Sequence, residues 1–391
     1  MSRLEELIER YCPDGVEYVR LGDVLSVNRG KRLTKTQLSE EGKYFVYHGS
    51  KDTPLGKYSM FNAKGNTTIF VNTGGIGGVM FCADDFWCSD GSFWIGHSAL
   101  LNDKYVYYYL SPKESYFASQ KRVGGVPTID RSTVENVEIP VPPLPVQEEI
   151  VRILDNFTEL QAELQAELQK RSQQYEYYKW NIFEGLSCPT KHITDVALVK
   201  ARVGWQRLTT AEYQETGDYY LITGTDFKNG KIDFNSCVFV SKERYEMDPN
   251  IIVGKGDILI TKDGTLGKVA FMAEEPNKPT TLNSGVFRIH TTDPQVSSRY
   301  LFHYFTSKYF TDFVNSVKTG STIPHLTQQG LVSLNIPIPS LEEQKRIASI
   351  LDRFDSLTND LTEGLPAEIE KRRQQYEYYR DKLLTFKRKG A

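Results

Sequence analysis

The chain has 391 residues, of which 39% are hydrophobic and 25% charged, and its formal net charge is −3. Such a composition is typical of a soluble globular protein. No run of about 18 apolar residues occurs, so the sequence predicts no membrane-spanning helix. The length predicts two or three domains of roughly 150 residues each.

The weakly negative net charge by itself disfavours nucleic-acid binding, but the charges are unevenly distributed. Arg29–Lys35 contains four basic residues and no acid, and Lys371–Lys389 contains eight basic residues against two acids. Local basic patches, rather than total charge, are typical of DNA-binding proteins. Nucleic acid therefore stays among the possible partners.

At the N-terminus, Ser2–Arg10 is acidic and amphipathic, which predicts a short helix and not a signal peptide. The five cysteines show no CxxC spacing. Their odd number and spacing predict reduced thiols in a cytoplasmic protein.

Residues 15–140 have a mixed α/β pattern. Thr67–Asn72 and Val79–Cys82 predict strands separated by glycine turns, and the aromatic stretch Tyr105–Lys121 predicts a helix. The sequence IPVPPLP follows and predicts an extended linker, because proline neither sits inside a helix nor continues a central strand. Apolar residues at steps of three and four then predict a long helix with a coiled-coil seam.

This order is repeated in the second half. The string QQYEYY occurs at Gln173–Tyr178 and again at Gln374–Tyr379, and upstream Asn136–Leu160 aligns with Ser333–Leu357 at a constant shift of 197 residues. A period near 200 is too long for a solenoid, whose repeats are about 20–50 residues. The chain therefore contains two copies of a domain, each followed by the same connector.

The predicted fold is mixed α/β (α/β or α+β). Two similar domains are joined by two long antiparallel coiled-coil helices in a pseudo-two-fold arrangement. Gly364 and Pro366 predict a kink or break in the second helix. The predicted parts are residues 1–142 (first domain with the N-terminal helix), 143–186 (central helix), 187–339 (second domain) and 340–391 (C-terminal helix).

Motifs for chemistry are absent from both copies. The cluster Gly74–Gly78 lacks the third glycine of a dinucleotide fingerprint, since position 80 is Met80. Gly264–Lys268 lacks the residues that complete a phosphate loop, so both clusters predict β-turns. The six histidines have no metal-ligand spacing. We therefore predict no catalytic residue and no metal site in this chain.

Polar side chains in the turns between strands are the remaining candidates. Arg, Lys, Asn and Gln read base edges, while Lys and Thr hold phosphates. The predicted DNA-binding residues are Arg29, Lys31, Arg32, Lys51, Asn72 and Thr73 in the first domain, and Arg202, Trp205, Gln206, Arg207, Thr225, Lys228, Lys262, Asp263, Thr265 and Lys268 in the second.

The chain closely resembles the specificity subunits of type I restriction–modification systems over nearly all 391 residues. This resemblance is carried by the N-terminal LEELIERYCPDGVEYVRLGDV, the two GxxxP-like turns, the IPxPxL–EQ helix starts and the doubled QQYEYY. It implies two target-recognition domains, each reading half of a split double-stranded DNA site. Because the basic turns of the two domains have diverged, we expect this site to be asymmetric. The resemblance also implies two methyltransferase (modification) and two restriction (translocase–nuclease) subunits as partners. AdoMet, ATP and Mg²⁺ would belong to those partners, and this chain would be non-catalytic.

Tyrosines and arginines near the helix ends are candidates for holding the methyltransferase subunits, since both residue types are typical interface anchors. The alternative is that the tyrosines merely cap the coiled coil. The predicted partner-binding residues are Tyr175, Tyr178, Arg372, Arg373, Tyr376 and Tyr379.

Two other functions compete with this interpretation. A stand-alone DNA-modifying enzyme would need a catalytic constellation, and the sequence shows two diverged copies of a motif-free domain instead. A coiled-coil adaptor that never touches DNA would explain the helices but not the diverged basic turns.

Overall fold

The computed structural model describes residues 2–122, 125–203, 208–264, 266–320, 324–359 and 364–390. The chain forms two compact units, one of residues 1–164 with 369–391 and the other of residues 165–368. Both units are mixed α/β, as predicted. Among the helices of the described ranges, none has both the length and the apolar character needed to cross a bilayer.

The first unit begins with helix α1 (Arg3–Tyr11), whose N-cap Ser2 accepts the backbone N–H of Glu5. This confirms the short helix predicted at the N-terminus. The elements that follow are β1 (Tyr18–Arg20), α2 (Leu21–Val24), β2 (Val27–Arg29), β3 (Tyr44–Tyr47), β4 (Gly56–Tyr58), β5 (Thr67–Val71), β6 (Val79–Cys82), β7 (Trp87–Cys88), β8 (Ser92–Ile95), α3 (Asp103–Leu110), α4 (Glu114–Ser119), α5 (Arg131–Glu135) and β9 (Glu138–Pro140), before the long helix α6 (Leu144–Glu184).

Besides the two-stranded pair of β1 and β9, the strands of the first unit form a four-stranded sheet and a three-stranded sheet, with the orders β2–β8–β5–β6 and β4–β3–β7. The larger sheet is antiparallel, whereas β3 and β7 run parallel. Every residue of β5 is buried. Helix α3 contacts this strand, and Ile69 lies in one hydrophobic cluster with Cys88 and Tyr47 of the three-stranded sheet.

The predicted extended linker begins as a paired strand. Its first residues form β9, which pairs with β1 so that Pro140 lies opposite Tyr18. Proline is tolerated there because it ends a short edge strand.

The second unit repeats this plan. Its elements are β10 (Thr190–His192), α7 (Ile193–Val196), β11 (Ala197–Ala201), β12 (Tyr219–Ile222), β13 (Phe227–Lys228), β14 (Lys231–Ile232), β15 (Val238–Val240), α8 (Lys242–Glu246), β16 (Ile258–Thr261), β17 (Val269–Phe271), β18 (Thr280–Leu282), β19 (Val286–Thr291), α9 (Ser298–Phe305), α10 (Lys308–Val317), α11 (Gln328–Val332) and β20 (Asn335–Pro337).

Its sheets have the orders β11–β19–β16–β17 and β15–β12–β18, with β12 and β18 parallel. Strand for strand, this is the topology of the first unit, which confirms the predicted duplication. The hairpin β13–β14 is an addition between β12 and β15.

The second connector consists of helices α12 (Leu341–Asn359) and α13 (Leu365–Leu383), so the helix is interrupted as Gly364 and Pro366 predict. The connectors pack on each other through aromatic rings. Within the first unit, Phe157 stacks on Tyr379 with ring centroids 5.7 Å apart. Within the second unit, Phe354 stacks on Tyr175 at 6.0 Å. The phenylalanine of each copy thus meets the tyrosine motif of the other, the pattern of an antiparallel pair. The predicted domain boundaries stay a prediction.

An aspartate on each connector holds the domain helix beside it. Asp155 accepts hydrogen bonds from the Lys104 ammonium and the Tyr108 hydroxyl, both at 2.7 Å. The equivalent Asp352 accepts from Arg299 Nε and from the buried His303 Nε2, both at 2.6 Å.

Burial by itself raises the pKa of Asp352. The His303 hydrogen bond and the Arg299 charge outweigh that effect, and the net pKa is lowered. Burial also lowers the pKa of His303. The imidazole is thereby kept neutral, as suits a fully enclosed ring.

Candidate nucleic-acid interface

In the first unit, the loops that follow β3, β5 and β7 meet the segment before α5. The backbone N–H of Asn72 donates to Gly91 at 3.1 Å, and the carbonyl of Asn72 accepts from Ile129 at 3.1 Å. The backbone N–H of Ser89 donates to the backbone carbonyl of Tyr47 at 2.9 Å. We call the loops 48–51, 72–78, 89–92 and 128–130 the loop cluster of the first unit.

The second unit has the same backbone hydrogen bonds at equivalent positions. Lys262 donates to Gly285 at 2.9 Å, and its carbonyl accepts from Leu326 at 3.0 Å. Asn283 donates to Ile222 at 2.9 Å. The described residues among 223–226, 262–268, 283–285 and 325–327 form the loop cluster of the second unit. The backbone arrangement has been preserved, although most side chains on it differ between the two units.

Glycine is required at two turns in each cluster. Gly74 and Gly77 have φ of 89° and 87°, and the equivalent Gly264 and Gly267 have 69° and 77°. Left-handed backbone of this kind favours glycine, because other residues are strained there. The glycine runs therefore close the hairpins β5–β6 and β16–β17, in agreement with the predicted turns.

The predicted DNA-binding residues of the first unit fall into two groups. Arg29, Lys31 and Arg32 are exposed, and the backbone N–H of Lys31 donates to Cys88 at 2.9 Å. The other group is already engaged within the fold. Lys51 donates to Glu114 at 2.7 Å, Asn72 is only 3% exposed, and the Thr73 hydroxyl donates to Thr128 at 3.4 Å.

In the second unit, Arg202 is 2% exposed. Its Nε donates to the Leu282 carbonyl at 2.9 Å, and a terminal nitrogen donates to the Thr281 hydroxyl at 3.1 Å. Leu282 is equivalent to Cys88, which accepts the Lys31 backbone N–H in the first unit. Arg202 thus links the two sheets of its own unit, and its guanidinium has no open face for DNA in this conformation.

The other described candidates differ in exposure. Lys262 is half-buried with its ammonium 5.3 Å from the centre of the Phe287 ring, and burial lowers its pKa. Asp263 pairs with His325. Lys228 pairs with Asp233, while Thr225 and Lys268 are exposed. Trp205, Gln206, Arg207 and Thr265 lie outside the described residues.

Sequence reasoning missed two histidines of the clusters. His48 Nδ1 accepts the Gly91 N–H at 3.2 Å and lies 3.3 Å from Asp90. His325 is bound by Asp263, which lies 62 residues away in the chain. No local signal could have revealed either contact, because the partners are distant in sequence.

In the described part of the chain, no group of three His, Cys, Asp or Glu side chains could hold a metal ion. Four of the five cysteines are buried, and burial raises the pKa of Cys88 and Cys237. A buried thiol of that kind is a poor nucleophile.

The predicted partner-binding residues lie on the connector helices. Tyr175 is buried, and Tyr376 is half-buried against Phe157. Tyr178 and Tyr379 are 42% and 38% exposed. Arg373 forms ion pairs with Glu370 and Glu377, and Arg372 donates to Gln375.

The most exposed tyrosines of the two QQYEYY motifs are Tyr177 and Tyr378, both 63% exposed. They occupy the same place in the two copies, one residue off the coiled-coil seam. The prediction from the sequence considered the tyrosines on the coiled-coil seam and therefore missed these two.

The family model described as type I restriction modification DNA specificity domain matches residues 13–171 and 190–371. The chain belongs to the type I restriction–modification specificity subunits. A putative type I restriction enzyme specificity subunit of Haemophilus influenzae is 30% identical, and the alignment covers 98% of both chains. The EcoR124I/EcoR124II specificity subunit of Escherichia coli is 33% identical over 72% of this chain and 70% of its own.

Solved structures agree on the fold of this specificity subunit. The S subunit of a type I restriction–modification system from M. genitalium superimposes with a TM-score of 0.59 at 18% identity, over 94% of this chain and 95% of its own. A structure described as showing complex assembly and conformational transition of the type I system gives a TM-score of 0.57 at 19% identity, over 95% and 98%.

Proposed function

We propose that this specificity subunit reads an asymmetric, two-part DNA site, with one loop cluster on each half. The supporting observation is the preserved backbone arrangement of the two clusters, on which the side chains have diverged. An unchanged backbone with changed side chains suits two readers that approach the duplex alike but recognise different bases.

The chemistry of the complex would lie in partner subunits. A methyltransferase subunit would supply AdoMet-dependent methylation, and a restriction subunit would use ATP and Mg²⁺. The absence of catalytic motifs from both copies in the sequence favours this division of labour.

Identification of the methylated sequence in host DNA, with and without this chain, tests the proposal directly. We expect a two-part sequence with an unread gap, which disappears when the chain is deleted. Methylation by the purified chain alone would instead support a stand-alone enzyme. A complex that assembles but binds no DNA would support the coiled-coil adaptor.

Electrostatic contact with DNA leads to a prediction on salt dependence. Affinity for DNA falls as salt rises, and each phosphate contact contributes about 0.9 to the steepness of log affinity against log salt. Replacement of Arg29, Lys31 and Arg32 by alanine is therefore expected to make this slope less steep by up to about 3. Gel shifts from low to moderate salt measure this slope.

The matched control replaces three other basic residues of the same unit by alanine, namely Lys43, Lys57 and Lys64. Their ammonium groups lie over the rings of neighbouring aromatic residues. Both triple variants lose the same charge. An equal change of slope in the two would show that only net charge matters, and that the basic run is not a contact surface.

Tyr177 and Tyr378 suit the role of anchors for the methyltransferase subunits. A large, exposed aromatic ring recurs at the same place in both copies, and such rings are typical of interface hot spots. Two equivalent anchors would fit two bound subunits. The predicted contributions of Arg372 and Arg373 to the same surface stay a prediction.

Tyr177→Ser and Tyr378→Ser are each expected to weaken binding of one methyltransferase subunit at least 10-fold. Mass photometry of titrated complexes should show a species that lacks one subunit. Phe45→Ser is the control, because this ring is 45% exposed but lies on β3. Full assembly of both tyrosine variants would show that the rings are not anchors.

A further inference from the structure

In each loop cluster, a pair of side chains joins two loops. In the first unit the Thr73 hydroxyl donates to the Thr128 hydroxyl at 3.4 Å. In the second unit His325 Nδ1 bonds the Asp263 carboxylate. The two pairs are equivalent, because Thr73 follows Asn72 and Asp263 follows Lys262. The backbone groups of Asn72 and Lys262 each connect three loops of their cluster.

The backbone carbonyl of the second member, Thr128 or His325, accepts an equivalent hydrogen bond in both units. The backbone N–H of Arg122 donates to the Thr128 carbonyl at 3.0 Å, and the backbone N–H of Thr319 donates to the His325 carbonyl at 2.9 Å. His325 returns its own N–H to the Thr319 carbonyl at 2.8 Å. The same backbone position therefore presents a small hydroxyl in one unit and an imidazole in the other.

The geometry defines what the imidazole offers to a ligand. The side chains of His325 and Asp263 are 49% and 41% exposed. Because the Asp263 carboxylate can only accept, the Nδ1 atom of His325 carries the proton. In a neutral ring, Nε2 is then a hydrogen-bond acceptor, and within the described residues nothing bonds it.

An acceptor of this kind matches one feature of the major groove. Adenine N6 and cytosine N4 are the exocyclic amino donors displayed there, and each identifies its base pair. Guanine and thymine show only acceptors at the corresponding edge. A fixed Nε2 acceptor would therefore favour adenine or cytosine at one position.

We propose that His325 is a specificity-determining residue of the second unit, and that its Nε2 accepts a hydrogen bond from the exocyclic amino group of an adenine or cytosine. Asp263 is a positioning residue that holds the ring and its tautomer. The Thr73–Thr128 pair of the first unit presents no ring acceptor, so the two units differ in what they read at this place. The inference rests on the proposed function, since it requires that the loop clusters contact DNA.

The experiment uses the assembled complex with its methyltransferase and DNA duplexes that carry the methylated sequence of the wild type. Each base pair of both halves is replaced in turn, and binding is measured. For His325→Ala we expect discrimination to fall about 10-fold at one base pair of the second half, while the first half is read unchanged. Retained reading of the first half shows that the complex is still assembled and folded.

A base analogue tests the hydrogen bond itself. Replacement of the affected adenine by purine, or of the affected cytosine by 2-pyrimidinone, removes the amino group and keeps the ring. We expect this to weaken binding of the wild type about 10-fold and to leave His325→Ala unaffected. For Asp263, substitution by asparagine should preserve more discrimination at the same base pair than substitution by alanine, because the amide oxygen still accepts the Nδ1–H.

The outcomes separate the inference from the function on which it rests. If the wild-type complex shows no preference for a two-part sequence, the proposed function itself fails. If the wild type is specific but His325→Ala discriminates at every base pair as strongly as the wild type does, the inference is overturned. It is also overturned if the variant loses affinity equally for all sequences, as a phosphate contact would, or if every position of the second half weakens together, as a merely structural residue would.

Discussion

Replacement of residues 187–339 by the corresponding segment of a related specificity subunit is expected to change one half of the recognised sequence and to leave the other half intact. The segment lies inside the second unit and contains its four-stranded and three-stranded sheets. Its two ends are paired with each other, because Thr190–His192 and Asn335–Pro337 form the ladder β10–β20. A segment whose ends already meet can be exchanged with little strain on the rest of the chain.

The methylated sequence of host DNA that carries the hybrid chain measures the outcome. The reciprocal exchange, of residues 1–142, is the matched control and should change only the opposite half. If either exchange altered both halves in an active complex, the two units would not read DNA independently.

Truncation of Tyr105 or Tyr300 to alanine is expected to destabilise its own unit by about 3–5 kcal/mol, as for other large buried rings. Both side chains are fully buried, and burial raises the pKa of both hydroxyls. Each hydroxyl also donates to the carbonyl of a proline at the end of a short strand, Tyr105 to Pro140 at 3.1 Å and Tyr300 to Pro337 at 2.7 Å. Against a typical total stability of about 5–15 kcal/mol, such a loss is severe.

Urea unfolding followed by hydrogen exchange would show which unit opens. Tyr105→Ala should lower protection in the first unit, and Tyr300→Ala should lower protection in the second. The conservative Tyr→Phe variants keep the ring and should cost only about 1 kcal/mol. Equal loss of protection in both units from one alanine variant would contradict the view that each unit has its own core.

The sequence by itself determined the features that depend on local pattern. The copied connector, with QQYEYY at Gln173–Tyr178 and Gln374–Tyr379, reveals the duplication from the sequence alone. The strand predicted at Val79–Cys82 has the bounds of β6, and the break predicted from Gly364 and Pro366 separates α12 from α13. Periodicity, glycine and proline act over a few residues, so their effect can be read along the chain.

Only the tertiary structure decided which polar side chains are available to DNA. Arg202 and Asn72 are polar residues in predicted turns, yet both are buried by segments distant in sequence. Asp263 and His325 form a pair only because two loops meet. The tyrosines of QQYEYY likewise divide into buried and exposed ones according to what packs on the helix. Exposure and pairing arise from contacts between remote parts of the chain, and a single sequence contains no local signal for them.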